Sequence, residues 1–163
     1  FVENQDIISE SDYLDGEKIR PMEDLTVSPT EKTVILAADD AWYLSGGLLV
    51  AKDGGDTYVT DTDGGMYAIY SIDMKNSGYY RLSPVYAVLD ASSGGAMLEI
   101  DIELDGKHIA NYRPGGNTGG WTNWKTVSPA TVWLPKGSHK MRFVWGSSAN
   151  LKNIIIEPAD PNT

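Results

Sequence analysis

The stretch of sequence that decides the fold runs from residue 98 to residue 106. It reads Leu98-Glu99-Ile100-Asp101-Ile102-Glu103-Leu104-Asp105-Gly106. Its aliphatic and acidic side chains alternate without a break, and a period of two is typical of a strand with one buried face. The Asp-Gly pair at the end is a strong hairpin signal and returns the chain through residues 108–110. We therefore predict a hairpin whose aliphatic side chains face a core.

Comparable short runs rich in Val, Ile, Thr and Tyr lie on both sides of this hairpin. Turn signals built from Gly, Asn and Asp separate them at intervals of roughly 8–12 residues, and no helical period is visible. The predicted strands are 34–38, 48–50, 57–60, 67–74, 79–88, 98–104, 108–110, 131–134, 141–145 and 153–156. This pattern predicts an all-β fold, an antiparallel two-sheet β-sandwich. The residues predicted to face inward are Leu98, Ile100, Ile102, Leu104, Phe143 and Ile154.

The chain of 163 residues is long enough for one domain with a sizeable core. We place the sandwich at residues 33–158. Residues 1–32 are polar and acidic and are interrupted by Pro21 and Pro29, so we interpret them as an acidic linker or a docking arm. Residues 159–163 form a tail.

Composition narrows the class of partner. The formal net charge is −10, which argues against nucleic acid or an anionic membrane surface as a partner, because either would be repelled. There is no cysteine, hence no disulfide framework and no thiolate chemistry. No apolar run approaches the ~20 residues of a membrane span. The start at Phe1 does not resemble a signal peptide, so the chain looks like part of a longer protein.

A second informative stretch carries two tryptophans three positions apart. It reads Asn117-Thr118-Gly119-Gly120-Trp121-Thr122-Asn123-Trp124. The glycines permit a sharp reversal, and if the chain is extended afterwards the two indoles lie on opposite faces. One can then enter the core while the other stays at a loop tip, beside Asn and Thr groups suited to a sugar. The alternative is that both tryptophans belong to the core.

Residues that would support catalysis are sparse. The only histidines are His108 and His139, and no Gly-x-Ser-x-Gly elbow is present. The acidic row at 99, 101 and 103 fits the solvated outer face of a half-buried strand better than a pair of glycosidase carboxylates. Asp61-x-Asp63-Gly64 begins like a calcium loop but lacks the downstream Glu, so we interpret it as a turn. We predict no catalytic residues and no enzyme.

Three segments together resemble carbohydrate-binding modules of families 6 and 35, which share a galactose-binding-like β-sandwich of jelly-roll type. The first segment is 65–73, Gly-Met-Tyr-Ala-Ile-Tyr-Ser-Ile-Asp. The second begins with Gly-Tyr-Tyr-Arg-Leu at 78–82 and leads through Leu-Asp-Gly at 104–106 to the Thr-Gly-Gly-Trp stretch. The third is Ala-Asn-Leu at 149–151, which enters the last strand. The resemblance covers residues 33–157.

The resemblance implies particular site residues. In such modules the Trp of the Thr-Gly-Gly-Trp loop stacks on a pyranose ring, which corresponds to Trp121 here. The Asn before the final strand hydrogen-bonds the same sugar and corresponds to Asn150. A second aromatic from an early loop corresponds best to Tyr58, although its spacing to Tyr67 is longer than in the family. Trp124 would then lie on the core side.

One feature departs from the family pattern. These families carry acidic residues in the first strand that hold a structural calcium, whereas this chain has Ile35-Leu36-Ala37-Ala38, with Asp39 and Asp40 beyond it. Lys152 lies near a position where a further Asp ligand would be expected. Since a calcium ion needs several oxygen ligands, we expect the usual site to be lost and predict no cofactor.

The expected function is that of a non-catalytic carbohydrate-binding module that targets a larger glycan-degrading protein to polysaccharide. The expected location is extracellular, periplasmic or on a bacterial-type cell surface, in a multidomain chain without membrane insertion. A uronic-acid ligand is disfavoured by the net charge, which Lys125 or Arg113 would offset locally. The alternative is an accessory β-sandwich used only for packing against protein, with the Trp stretch as its anchor.

Overall fold

The computed structural model describes residues 17–18, 23–89, 99–113 and 118–159. Every regular element in these ranges is a β-strand. In chain order they are β1 (Glu17–Lys18), β2 (Asp24–Val27), β3 (Thr33–Leu36), β4 (Tyr43–Leu44), β5 (Leu49–Asp53), β6 (Asp56–Thr60), β7 (Tyr67–Met74), β8 (Gly78–Ala87), β9 (Ile100–Leu104), β10 (Lys107–Tyr112), β11 (Lys125–Thr126), β12 (Ala130–Leu134), β13 (Gly137–Trp145) and β14 (Asn150–Pro158). Within the same ranges, no helix has the length and apolar character needed to cross a bilayer.

The strands form two sheets that pack as a sandwich, which confirms the predicted fold class. The first sheet has the order β1-β4-β7-β13-β9-β10, with β2 also paired to β7. The second has the order β11-β8-β14-β6-β5, with β12 also paired to β8 and β3 to β14. The predicted hairpin is β9–β10, and Asp105 and Gly106 in its turn both have positive φ. Such a turn favours Asp-Gly because these residues adopt a left-handed backbone at low cost.

Strands β2 and β7 pair in parallel, and β2 lies before the predicted start of the sandwich at residue 33. β4 pairs with residues 68–69 of β7, and β2 pairs in parallel with residues 71–74 along the same edge. The side chain of Val27 at the end of β2 is fully buried. The sandwich therefore includes residues 24–27. The rest of the predicted arm is described only at residues 17–18 and 23 and from residue 28 onward.

The core lies between the two sheets. Of the side chains predicted to face inward, Ile100, Ile102, Leu104, Phe143 and Ile154 are all buried. They belong to one hydrophobic cluster that also contains Leu82 and Ile156 from the second sheet. Leu98 lies outside the described residues. The two-residue period of the 98–104 stretch thus correctly predicts which face of β9 is buried.

The acidic side chains of the same stretch lie on the outer face of the first sheet and pair across neighbouring strands. The Arg142 guanidinium donates to Glu103 at 2.6 Å, and the Asn111 amide donates to Asp101 at 2.5 Å. Glu99 lies 3.3 Å from Arg113. These carboxylates are partly solvated and occupied by cross-strand partners, as expected for the outer face of a half-buried strand.

Candidate functional site

The candidate site is a depression of about 370 Å³ at one edge of the second sheet. It is lined by Tyr58, Thr60, Asp61, Thr62, Trp121, Ser148 and Asn150. The fold therefore brings together all three residues predicted to bind a ligand, although they lie far apart in the sequence. The lining combines aromatic, hydroxyl, amide and carboxylate groups, a mixture that suits a ligand with both apolar and hydroxyl surfaces.

Strand pairing explains why these residues meet. Val59 of β6 pairs with Leu151 of β14, and both side chains are fully buried in the core. Because successive side chains of a strand point to opposite faces, Tyr58, Thr60 and Asn150 turn away from the core toward the depression. The beginning of the last strand and the end of β6 thereby supply one wall.

The opposite wall is the tryptophan loop, defined here as residues 118–124. Thr118 anchors its start, donating its amide N–H to the Val88 carbonyl at 2.9 Å and accepting the Val88 N–H on its hydroxyl at 3.0 Å. Gly119 has φ +93°, a left-handed conformation that a side chain would strain. Asn123 closes the turn by donating its amide to the Thr118 carbonyl at 2.5 Å. This bonding presents Trp121 with 42% of its surface exposed.

Asn150 is buried beneath this loop and bonds to its backbone. Its side chain is only 4% exposed, and its Nδ2 donates to the Trp121 carbonyl oxygen at 2.7 Å. Asn150 therefore fixes the position of the Trp121 backbone. This bond uses one of the two amide N–H donors, so the second N–H and the Oδ1 acceptor are left to contact a ligand.

We expect Asn150→Asp to lower both stability and ligand affinity. The substitution leaves the Trp121 carbonyl without its donor and places a carboxylate in a buried position, a loss of about 1–3 kcal/mol. The melting temperature should fall by roughly 2–4 °C for each kcal/mol. Affinity should fall by roughly tenfold as the loop loosens. Thermal melting and isothermal titration measure the two effects.

Asn153→Asp is the matched control for this prediction. It makes the same chemical change on the same strand, at a half-buried residue that does not line the depression. We expect it to leave both the melting temperature and the affinity close to wild type. Equal affinities for wild type and Asn150→Asp would show that Asn150 neither contacts the ligand nor holds Trp121.

The structure corrects the predicted positions of two aromatic residues. Tyr58 lies on strand β6 and is 7% exposed, whereas the resemblance placed it on an early loop. Trp124, predicted to enter the core, is only half-buried and packs edge-on against Tyr58, with ring centroids 5.2 Å apart. The prediction for Trp124 is wrong because residues 119–122 form a turn, so the alternation of an extended chain does not apply.

A polar cluster that the sequence did not reveal holds Trp124 in this place. Asp56 accepts the Trp124 indole N–H at 3.0 Å and lies 2.9 Å from the Lys152 ammonium. The hydrogen bonds from Lys152 and then from Trp124 hold the pKa of Asp56 below its ordinary value. The Lys152 ammonium also lies 5.7 Å from the centroid of the Trp124 ring. Lys152, which lies near the position where the family resemblance would place an Asp ligand of calcium, thus supports the aromatic residues beside the depression.

Two short loops complete the depression and were also missed. Thr62 donates its hydroxyl to the Ala149 carbonyl at 2.8 Å and accepts the Ala149 N–H at 2.6 Å. Ser148 donates its hydroxyl to the Thr62 carbonyl at 2.8 Å. The segment after β6 is therefore fastened to the segment before β14. Asp61, predicted only as part of a turn, is placed in the lining by this connection.

Groups that would support catalysis or a metal have other roles here. His139 lies between the Asp105 carboxylate at 2.6 Å and the Pro135 carbonyl at 2.8 Å, beside a turn. His108 lies 3.6 Å from Asp101 on the outer face of the first sheet. Over the described ranges, no group of three or more His, Cys, Asp or Glu side chains is arranged to hold a metal ion. The Asp40 carboxylate accepts the Leu36 N–H at 2.7 Å.

Several solved structures share this architecture. The C-terminal family 6 carbohydrate-binding module of LamC, a marine laminarinase from Zobellia galactanivorans, has a TM-score of 0.68 and 23% identity, covering 78% of this chain and 99% of that chain. Module CBM6cm-2 of Cellvibrio mixtus lichenase 5A, in complex with cellotriose, has a TM-score of 0.64 and 26% identity, covering 78% and 98%. A family 35 module from Clostridium thermocellum has a TM-score of 0.61 and 25% identity, covering 77% and 98%. A comparison with proteins of curated function finds no match.

The fold and the aromatic depression define a β-sandwich binding module. The sequence model of carbohydrate-binding module family 6 matches residues 45–157, more than half of the chain. The chain belongs to this family. It is a non-catalytic module that binds carbohydrate, which confirms the predicted family, class and lack of enzymatic activity.

Proposed function

We propose that the module binds a polysaccharide in the depression between the tryptophan loop and the start of β14, stacking one sugar ring on Trp121. The observation that carries this proposal is the half-exposed indole of Trp121, held beside hydroxyl and amide groups by a hydrogen-bonded loop. A ring face attracts sugar C–H groups and removes apolar area from water, while neighbouring polar groups discriminate hydroxyl orientation. Because Asn150 fixes the Trp121 backbone, the stacking surface is formed before the ligand arrives.

Each lining group has a proposed role. Trp121 supplies the stacking face. The Asn150 Oδ1 accepts a sugar hydroxyl, and Tyr58 contributes its side chain to the wall opposite the tryptophan loop, supported by Trp124. One stacked ring and a few hydrogen bonds, offset by the ordering of the ligand, give an expected dissociation constant of about 1 mM to 1 μM.

Isothermal titration against a panel of soluble polysaccharides and oligosaccharides tests the proposal. The related structures supply the panel, since their names refer to a laminarinase, a lichenase, a β-1,4-mannanase and a complex with cellotriose. Saturable binding of at least one neutral glycan, with quenching or a shift of tryptophan fluorescence, is expected. If no glycan in the panel binds, the proposed site is wrong.

We further propose that the module belongs to a multidomain extracellular or surface protein that degrades glycans. In a β-1,4-mannanase of Podospora anserina that joins a glycoside hydrolase family 26 part to a family 35 carbohydrate-binding module, the match covers 80% of this chain but only 28% of that chain, at 20% identity and a TM-score of 0.60. A similar arrangement here would concentrate a catalytic domain on its substrate, since tethering raises the effective concentration.

A second candidate function is packing against another protein domain, and one observation favours it. Tyr79 and Trp133 are cross-strand partners on β8 and β12, with ring centroids 5.1 Å apart, and each is more than half exposed. Exposed aromatic pairs of this kind are typical of interfaces. This surface does not include the residues lining the depression, so packing here would be compatible with glycan binding. Loss of association with the rest of the parent protein in Trp133→Ala would support it.

We also propose that the module needs no structural calcium. The first strand offers no acidic side chain in the family pattern, because Leu36 and Ala38 carry no side-chain oxygen. The melting temperature should therefore be the same with and without a strong chelator. A large fall with chelator would contradict this and would direct attention to Glu23, Asp24, Asp39 and Asp40, which line a small depression together with Leu25.

A further inference from the structure

Asp61 is the charged member of the lining of the depression. The other lining side chains that the structure describes are aromatic, hydroxyl or amide groups. Asp61 is exposed, and over the described residues its carboxylate has neither a hydrogen-bond partner nor an ion-pair partner. A ligand that enters the depression therefore meets one uncompensated negative charge.

The backbone holds Asp61 in a defined position. Its φ is +57°, in the left-handed region that Asp and Asn adopt more readily than most residues. Thr60 on its N-terminal side ends β6, and Thr62 on its C-terminal side is bonded twice to Ala149. Since both neighbours are fixed, the carboxylate is presented to the depression by a rigid segment.

In the described part of the chain, no positive charge forms an ion pair with Asp61. The Lys152 ammonium is paired with Asp56 at 2.9 Å. Arg113 is paired with Glu99 at 3.3 Å and, like Lys125, does not line the depression. Among the described residues that line the depression there is no cation, so a ligand in contact with Asp61 meets no positive charge from the lining itself.

We propose that Asp61 determines the charge selectivity of the site, accepting hydrogen bonds from hydroxyls of an uncharged glycan and repelling glycans with carboxylate or sulfate groups. This inference rests on the proposed function, since it assigns a role to a residue of the same depression. A carboxylate accepts hydroxyl hydrogen bonds strongly and has no donor to offer an anionic group. The selectivity then arises from a repulsive element as well as from attractive contacts.

Asp61→Asn is the variant that tests this role. Asparagine keeps the shape, tolerates the left-handed backbone and retains one acceptor oxygen, but removes the charge. Asp63→Asn is the matched control, because it removes the same charge from the same exposed loop, at a residue that bonds the Gly64 N–H and does not line the depression. Each protein is titrated with a neutral β-glucan and with the carboxymethyl derivative of the same polysaccharide, at about 0.01 M and about 0.15 M salt.

We expect wild type to bind the neutral glucan at least tenfold more tightly than its carboxymethyl derivative at low salt, and the difference should narrow as salt screens the repulsion. Asp61→Asn should bind the carboxymethyl derivative about fivefold more tightly than wild type does. Its affinity for the neutral glucan should fall a few-fold as the charged acceptor is lost. Asp63→Asn should behave like wild type.

The outcomes separate this inference from the proposed function. Wild type that binds the carboxymethyl derivative as tightly as the neutral glucan overturns the selectivity and leaves glycan binding intact. The role of Asp61 is likewise overturned, with glycan binding intact, if Asp61→Asn prefers the neutral glucan as strongly as wild type does. Equal effects of Asp61→Asn and Asp63→Asn would assign the preference to the net charge of the module and overturn a role for Asp61. Wild type that binds neither polymer overturns the proposed function and this inference with it.

Discussion

Replacing Trp121 with alanine is expected to weaken glycan binding by at least about thirtyfold while leaving the melting temperature of the module nearly unchanged. The stacking face is the main apolar surface that the depression offers, so its removal should cost at least ~2 kcal/mol of binding free energy, as for an aromatic hot spot. Starting from a dissociation constant between about 1 mM and 1 μM, this loss gives a dissociation constant between about 30 mM and 30 μM.

Stability should be preserved for two reasons. The Trp121 side chain is 42% exposed, so its truncation removes less buried area than truncation of Trp124 or Trp145 does. Asn150 bonds to the backbone carbonyl of Trp121 and not to its indole, so the anchor of the loop persists in the alanine variant. We expect a change in the free energy of unfolding below about 1 kcal/mol, measured by denaturant unfolding alongside isothermal titration.

Trp133→Ala is the matched control for this prediction. Trp133 is 52% exposed and lies on β12, among residues that do not line the depression, so its truncation removes a similar exposed indole. It should bind glycan like wild type. If Trp121→Ala and Trp133→Ala bind equally well, the ligand site lies elsewhere. If Trp133→Ala alone loses binding, the exposed aromatic pair with Tyr79 is the ligand site.

Much of the fold could be predicted from local patterns, and the exceptions have physical causes. The alternation in 98–104 correctly predicted the buried face of β9, because a half-buried strand imposes a period of two. Strand β2 could not be predicted, since its place depends on β4 covering only the first half of the edge of β7. The free edge of β7 exists only in the assembled sheet, so the sequence of β2 carries no signal of it.

The candidate site was predictable only in part. Trp121, Asn150 and Tyr58 were predicted from a family resemblance, and the structure brings them into one depression, while their contact with sugar remains a prediction. Asp61 and Ser148 were not predicted because their proximity depends on the register of Val59 with Leu151. Pairing between strands this far apart in the chain is set by the packed sheet and cannot be deduced from either segment alone.

The local sequence pattern also failed to predict which tryptophans are buried in the core. Trp124 was predicted to be buried because two indoles three positions apart would face opposite ways on an extended chain. The buried tryptophans are Trp42 and Trp145, each 2% exposed or less. Trp145 ends the alternating series Met141, Phe143 and Trp145 on β13, so its burial follows from the periodicity of that strand.

Trp145→Ala should therefore be the most destabilising of the tryptophan substitutions in the loop and in β13. Its ring packs edge-on against Phe143 with centroids 4.7 Å apart, and its indole N–H donates to the Ala149 carbonyl at 2.9 Å. A large-to-small change at such a position costs about 3–5 kcal/mol. That is a large share of the roughly 5–15 kcal/mol by which domains are stable. Urea unfolding should show a much lower midpoint, with a melting temperature lower by about 6–20 °C.

Two further variants give this prediction a sharp control. Trp145→Phe keeps one aromatic ring but loses the second ring of the indole and its N–H donor, so it should cost about 1–3 kcal/mol, less than Trp145→Ala. Trp124→Ala removes a half-buried ring at the surface and should cost about 1–3 kcal/mol, less than Trp145→Ala. The expected destabilisation therefore decreases from Trp145→Ala to Trp124→Ala to Trp121→Ala, in the order of decreasing burial. A larger loss of unfolding free energy for Trp124→Ala than for Trp145→Ala would show that Trp124 belongs to the core. The Ala149 carbonyl accepts hydrogen bonds from both the Trp145 indole N–H and the Thr62 hydroxyl. Loss of the indole should therefore loosen the wall of the depression beside Asn150. We expect the folded fraction of Trp145→Ala to bind glycan more weakly than wild type.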